Sequence, residues 1–172
     1  MKRLLIMVFA FMLFLTACGE KIETNMSRDV QAFEFTTQDN ESLALKDLEG
    51  KWWVADFIFT NCTTVCLPMT TNMSKLQDKI KQENLDVQLV SFSVDPEYDT
   101  PKVLEEYAES YQADLSNWSF LTGYEFQTIK ELSIKSFQSP LEKPPEGEVI
   151  KRYSGTDPKK LDVIIDDLKE VS

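Results

Sequence analysis

The chain of 172 residues contains no histidine. No site in it can use an imidazole nitrogen as a metal donor. Positive charge is also scarce. Eighteen lysines and arginines face 29 aspartates and glutamates, for a formal net charge of −11. Lys2 and Arg3 are the only charged residues among the first 17, so the rest of the chain is more acidic still. Such a body is repelled by phosphate backbones and anionic lipid surfaces, which argues against nucleic acid as a partner. Cysteine is limited to three residues, and internal repeats and low-complexity segments are missing altogether. The apolar run Leu4 to Leu15 is short for a membrane-spanning helix.

What is present begins with that run. Lys2 and Arg3 form a basic leader, the apolar stretch follows, and Leu15-Thr16-Ala17-Cys18 closes it with small residues before a cysteine. The pattern resembles a bacterial lipobox. It predicts a signal peptide over 1–17 and a lipid-modified Cys18 that tethers the protein to the outer face of the cytoplasmic membrane. Residues 18–29 are polar and weakly patterned, as a flexible tether would be. One domain is expected over 30–172. Its 42% hydrophobic and 11% aromatic content suffices for a core.

Once Cys18 is assigned to lipid, Cys62 and Cys66 remain as a pair in a compartment where disulfides persist. They follow the apolar run Trp52–Phe59 and precede Pro68, so a strand runs into a loop that opens a helix. Positions i and i+4 share a helix face, so the two sulfurs can form a disulfide or grip one soft metal ion. A disulfide closing so short a loop removes little chain entropy, so chemistry explains the pair better than a structural staple does. A helix N-terminus also lowers a thiol's pKa. Asp56 interrupts the apolar strand and is read first as a carboxylate paired in the core, second as a group that tunes the thiols. Met69, Met73, Leu76 and Ile80 fall on one helix face as core. Met69 is a minor candidate for a thioether ligand.

Elsewhere the pattern alternates between periods of two and 3.6. Residues 33–35 and 43–45 read as a hairpin, 87–94 as a strand, and 118–121 as a short strand. Thr100 and Pro101 start a helix whose apolar face is Val103, Leu104, Tyr107, Ala108 and Tyr111. Phe126, Ile129, Leu132 and Phe137 mark another helix. Residues 140–148 read as a loop and Val149–Tyr153 as a strand. A last helix after Asp157-Pro158 buries Leu161, Ile164, Ile165 and Leu168. Strands alternating with helices imply an α/β sheet covered on both faces, with the cysteines at the ligand-binding end of a central strand. The pattern is that of a thioredoxin-like domain.

Thr60-Asn61-Cys62-Thr63-Thr64-Val65-Cys66 with Pro68-Met69, Ser93-Val94-Asp95-Pro96 followed by Asp99-Thr100-Pro101, and the stretch from Asn117 to Gly123 together resemble the Sco (SenC) family of membrane-tethered copper proteins. The resemblance covers roughly residues 30–138 and 148–170. It implies a thioredoxin-like fold. It also implies a copper-binding protein that assists assembly of the dinuclear copper centre in cytochrome c oxidase, with that enzyme's copper-bearing subunit as partner. The alternative is a thiol–disulfide oxidoreductase acting on cysteines of a membrane or secreted partner. In the family two cysteines and a histidine hold copper. Cys62 and Cys66 match the first two, and the third has no match here. The family also places a histidine, a strand and a turn before the strand that matches Val149–Tyr153, whereas here Glu146-Gly147-Glu148 runs straight into Val149. One sheet strand and its turn are therefore expected to be missing, and Val149–Tyr153 is expected to pair directly with Trp52–Phe59 or to be poorly ordered. Without imidazole, Cu(I) is the expected metal rather than Cu(II).

Overall fold

The computed structural model describes residues 29–61, 66–137, 141–143, 148–151 and 157–171. Seven strands occur among them: β1 (Glu34–Thr37), β2 (Ser42–Ala44), β3 (Trp52–Ile58), β4 (Val87–Ser93), β5 (Trp118–Thr122), β6 (Leu141–Lys143) and β7 (Glu148–Lys151). Four α-helices accompany them: α1 (Cys66–Gln82), α2 (Pro101–Ser110), α3 (Phe126–Lys135) and α4 (Lys160–Val171). The strands form one sheet in the order β2-β1-β5-β4-β3-β6-β7. β3, β4 and β5 are parallel neighbours, and the outer strands pair antiparallel. This is the expected α/β, thioredoxin-like architecture.

The parallel centre dictates where the helices go. The β3–α1–β4 and β4–α2–β5 crossovers step in the same direction across the sheet, so the usual right-handed connection puts α1 and α2 on one face. α4 joins them in a cluster that includes Val54, Ile58, Leu76, Ile80, Leu104 and Leu168. The chain leaves β5 for the opposite side of β3, and α3 packs on the other face with Phe33, Phe35, Trp53, Phe92 and Phe137. β3 is covered on both sides, which is why it reads as a near-continuous apolar run.

Most elements fall where the pattern puts them. β1 and β2 form the hairpin, Glu34 opposite Ala44. Thr100 caps α2, its side chain accepting from the Val103 amide at 3.4 Å, with Pro101 at the first helical position. The stripe of α4 is buried as expected. Gly123, at φ +82°, adopts the left-handed region and brings the chain against β1. A Cβ there would lie 2.6 Å from Thr36 Oγ1.

Two expectations are corrected. Phe126, Ile129 and Leu132 lie on α3 as expected, but Phe137 falls two residues past its end at Lys135 and is buried from the following segment. More consequentially, the strand expected to be missing beside β3 is there. Leu141–Lys143, within the stretch that reads as a loop, lies antiparallel to β3, with Trp53 opposite Glu142 and Val54 opposite Leu141. β7 pairs with this strand and not with β3. The physical reason is backbone satisfaction. Trp53 and Val54 are almost fully buried, and an unpaired backbone edge at that depth is costly. Three residues with a single apolar member carry no alternation signal, so propensity could not reveal the strand. Pro144–Gly147 and Arg152–Tyr153 lie outside the described residues.

Candidate functional site at the C-terminal end of the central strands

β3, β4 and β5 all point their C-terminal ends to one edge, where open α/β sheets gather ligands. Of the two candidate cysteines, Cys66 is the first residue of α1, as expected from Pro68 two positions on. Cys62 lies outside the described residues, and so does Cys18. Thr60 and Asn61 lead into the cysteine segment from β3. Met69 is half-buried in the first turns of α1, and Met73 is core, as preferred. No group of three or more Cys, Asp or Glu residues among the described residues is placed to hold a metal ion.

A buried carboxylate organises the edge. Asp99 is fully inaccessible to solvent. Its Oδ1 accepts the Thr60 hydroxyl at 2.5 Å, the Thr60 amide approaches both oxygens at 3.2–3.3 Å, and Oδ2 accepts the Ser93 hydroxyl at 2.6 Å. Ser93 Oγ in turn accepts the Asp95 amide at 3.0 Å, and the Val94 amide donates to the Ile58 carbonyl at 2.7 Å. Tyr124, after β5, donates its hydroxyl toward the carbonyls of Ser93 and Leu121 at 2.7 and 2.8 Å. Burial, and then the charge of Asp99, hold the Tyr124 phenol well above its usual range, so it remains a donor. The loops after β3, β4 and β5 are thus joined around one carboxylate.

Asp56 is the second buried carboxylate, two residues before the end of β3 on the face that α1 covers. Ser91, its parallel neighbour on β4, donates to Oδ1 at 2.6 Å, and Trp118 Nε1 donates to Ser91 Oγ at 2.9 Å. Oδ2 is buried with no hydrogen-bond partner. Burial raises the pKa from 3.8 to about 6, with the Ser91 hydrogen bond pulling the other way. The reading of Asp56 as a core carboxylate with a partner therefore holds for one oxygen only.

Thr60, Ser93 and Asp99 belong to motifs far apart in the chain, and nothing in their spacing marks them as one cluster. The available signal was Ser93-Val94-Asp95-Pro96, a turn sequence with an acidic residue three positions beyond the proline and next to a helix cap.

The parallel β3–β4–β5 core, the antiparallel flanking strands and a helix opening at a cysteine define a thioredoxin-like α/β domain. The SCO1/SenC family profile matches residues 22–156. The SCO1 protein homolog of Bacillus subtilis is 44% identical over 177 residues, covering 93% of this chain and 92% of that protein. That aligned stretch is longer than this entire chain, so the relative carries residues without a counterpart here. The structure of BsSco, described as a member of the Sco family of cytochrome c oxidase assembly proteins with a disulfide switch, superposes with a TM-score of 0.77 at 38% identity, covering 89% of this chain and all of that one. Arabidopsis thaliana ScoI with copper bound gives 0.67 at 26% identity, over 81% of this chain and 98% of that one. The chain belongs to the SCO1/SenC family.

Proposed function

We propose that this protein is a lipid-anchored, extracytoplasmic copper-binding factor that holds Cu(I) between Cys62 and Cys66 and assists assembly of the dinuclear copper centre of cytochrome c oxidase. Family membership carries the reading. Relatives are described as oxidase assembly proteins, and one is copper-bound. The anchor would be Cys18, which places the domain at the outer face of the membrane. The metal is cargo here, and the oxidase's copper-bearing subunit would receive it.

The chemistry follows from what the chain has and lacks. Two thiolates satisfy Cu(I), which is soft and accepts few ligands; Cu(II) favours nitrogen donors that a chain without histidine cannot offer. α1 opens at Cys66, and helix N-termini in general favour thiolates. Oxidation of the same pair to a disulfide would release the metal, so thiol exchange with a partner serves as the loading control of the copper site.

Competition for Cu(I) between the reduced protein and a chromogenic chelator tests this. One Cu(I) per chain is expected, lost in Cys62→Ser and in Cys66→Ser, with no intense thiolate–Cu(II) absorption on adding Cu(II). Failure of the wild-type protein to compete, or equal competition by the serine variants, overturns it.

A further inference from the structure

We infer that Asp99 is a positioning residue for the cysteine pair: through Thr60, its buried carboxylate clamps the segment entering Cys62 onto the loop that follows β4. The inference rests on reading Cys62 and Cys66 as the working pair. Thr60 is two residues before Cys62, half-buried, and spends both its amide and its hydroxyl on a residue 39 positions away. The amide and the hydroxyl are separate donors, and both go to the one carboxylate. Two bonds from one residue fix the direction in which the chain leaves it as well as its place. Asp99 is itself held from the other side by Ser93 and by the turn in which its amide donates to the Asp95 carbonyl at 2.9 Å. It is therefore a fixed anchor.

The consequence is geometric. α1 is secured to the core by Met73, Leu76 and Ile80, so the Cys66 end of the pair is set by helix packing. Thr60 is only half-buried and Asn61 is exposed, so neither is held by such packing. The Asp99 clamp sets the starting point from which Cys62 approaches Cys66, and Thr60 is the only link through which Asp99 acts on it among the described residues. Releasing that link lowers the effective concentration of one sulfur at the other without touching either.

Full-length protein and three variants decide it. Thr60→Val keeps the β-branched shape and removes the hydroxyl donor; Thr60→Ser restores the donor. Thr100→Ala also deletes a threonine hydroxyl, one that caps α2 and makes no described hydrogen bond to Thr60 or to the Asp99 carboxylate. Each protein is equilibrated with glutathione. The dithiol becomes a disulfide as one glutathione disulfide is reduced to two glutathiones, and the oxidised fraction of Cys62–Cys66 is read by peptide mass spectrometry. The alkylation rate of Cys62 in the reduced protein is read in parallel. Thr60→Val is expected to lower the disulfide equilibrium constant about tenfold, the size of one hydrogen bond to a charged group, and to speed Cys62 alkylation. Thr60→Ser and Thr100→Ala should stay within about twofold of wild type, a difference too small to register as the loss of such a bond. Either readout moving in Thr60→Val alone supports the clamp. Thr60→Val and Thr100→Ala moving together, or neither moving, overturns it. A wild-type pair that binds no Cu(I) refutes the proposed function but leaves the alkylation comparison to judge the clamp.

Discussion

Asp56 and Asp99 are both buried carboxylates near the C-terminal ends of the central strands, and they are treated differently. Asp99 receives donors on both oxygens, from Thr60 and Ser93. Asp56 receives one hydroxyl on Oδ1 and nothing on Oδ2. In the first, hydrogen bonds to both oxygens replace the water lost on burial. The second is strained toward protonation, and its pKa rises to about 6. Depth does not separate them; the supply of donors does. Asp99 sits where loops meet and can offer amides and hydroxyls. Asp56 sits mid-sheet, where β3 and β4 have already spent their amides on each other.

The largest break in that comparison should come from Asp99→Ala. Removing the carboxylate strands the buried Ser93 hydroxyl and the half-buried Thr60 amide and hydroxyl, and at about 1–3 kcal/mol for each donor left unpaired a loss of roughly 3–5 kcal/mol in urea denaturation is expected. A loss below about 1 kcal/mol, the level of an ordinary exposed substitution, would mean that water reaches the site and the clamp is idle.

Asp56→Asn should act in the opposite direction. In the fold Asp56 holds its proton up to about pH 6, against 3.8 for the free side chain. The folded state therefore binds more protons between those values, and stability falls as pH rises through that window. The cost is absent below about pH 4 and complete above about pH 6, where it amounts to roughly 3 kcal/mol. The asparagine variant should lack this slope and be the more stable protein at pH 7. Denaturation midpoints measured from pH 4 to 7 would show it, and parallel profiles for the two proteins would contradict it.

Ser91→Ala sharpens the same point with a smaller effect. It removes the one side-chain donor to Asp56 among the described contacts, so the loss should be about 1–3 kcal/mol above pH 6 and clearly less at pH 4. A pH-independent loss would assign the whole effect to packing.

Much of the architecture was legible in the chain. Period-two and period-3.6 patterns placed β1 to β5 and all four helices, because each buries one face or both and the pattern records which. Thr100-Pro101 marked the start of α2 through cap chemistry that is local by nature. β6 was not legible. Leu141–Lys143 is a strand because β3 needs a partner there, and that need is written in the residues of β3 and not in its own. For the same reason the short connection before Val149 was misjudged as the loss of a strand. The aligned relative carries residues without a counterpart here, yet the position beside β3 is filled.

By itself, the sequence determined that a helix opens at Cys66 after a central strand, and that no imidazole is available to the site. These are matters of residue type and short spacing. Only the tertiary structure decided that Thr60, Ser93 and Asp99 share one point, that Asp56 has one oxygen without a donor, and that Leu141–Lys143 closes the edge of β3. Each of these depends on which distant groups arrive with a free donor or acceptor, and hydrogen-bond supply between strands is set by register and crossover, which local pattern does not encode.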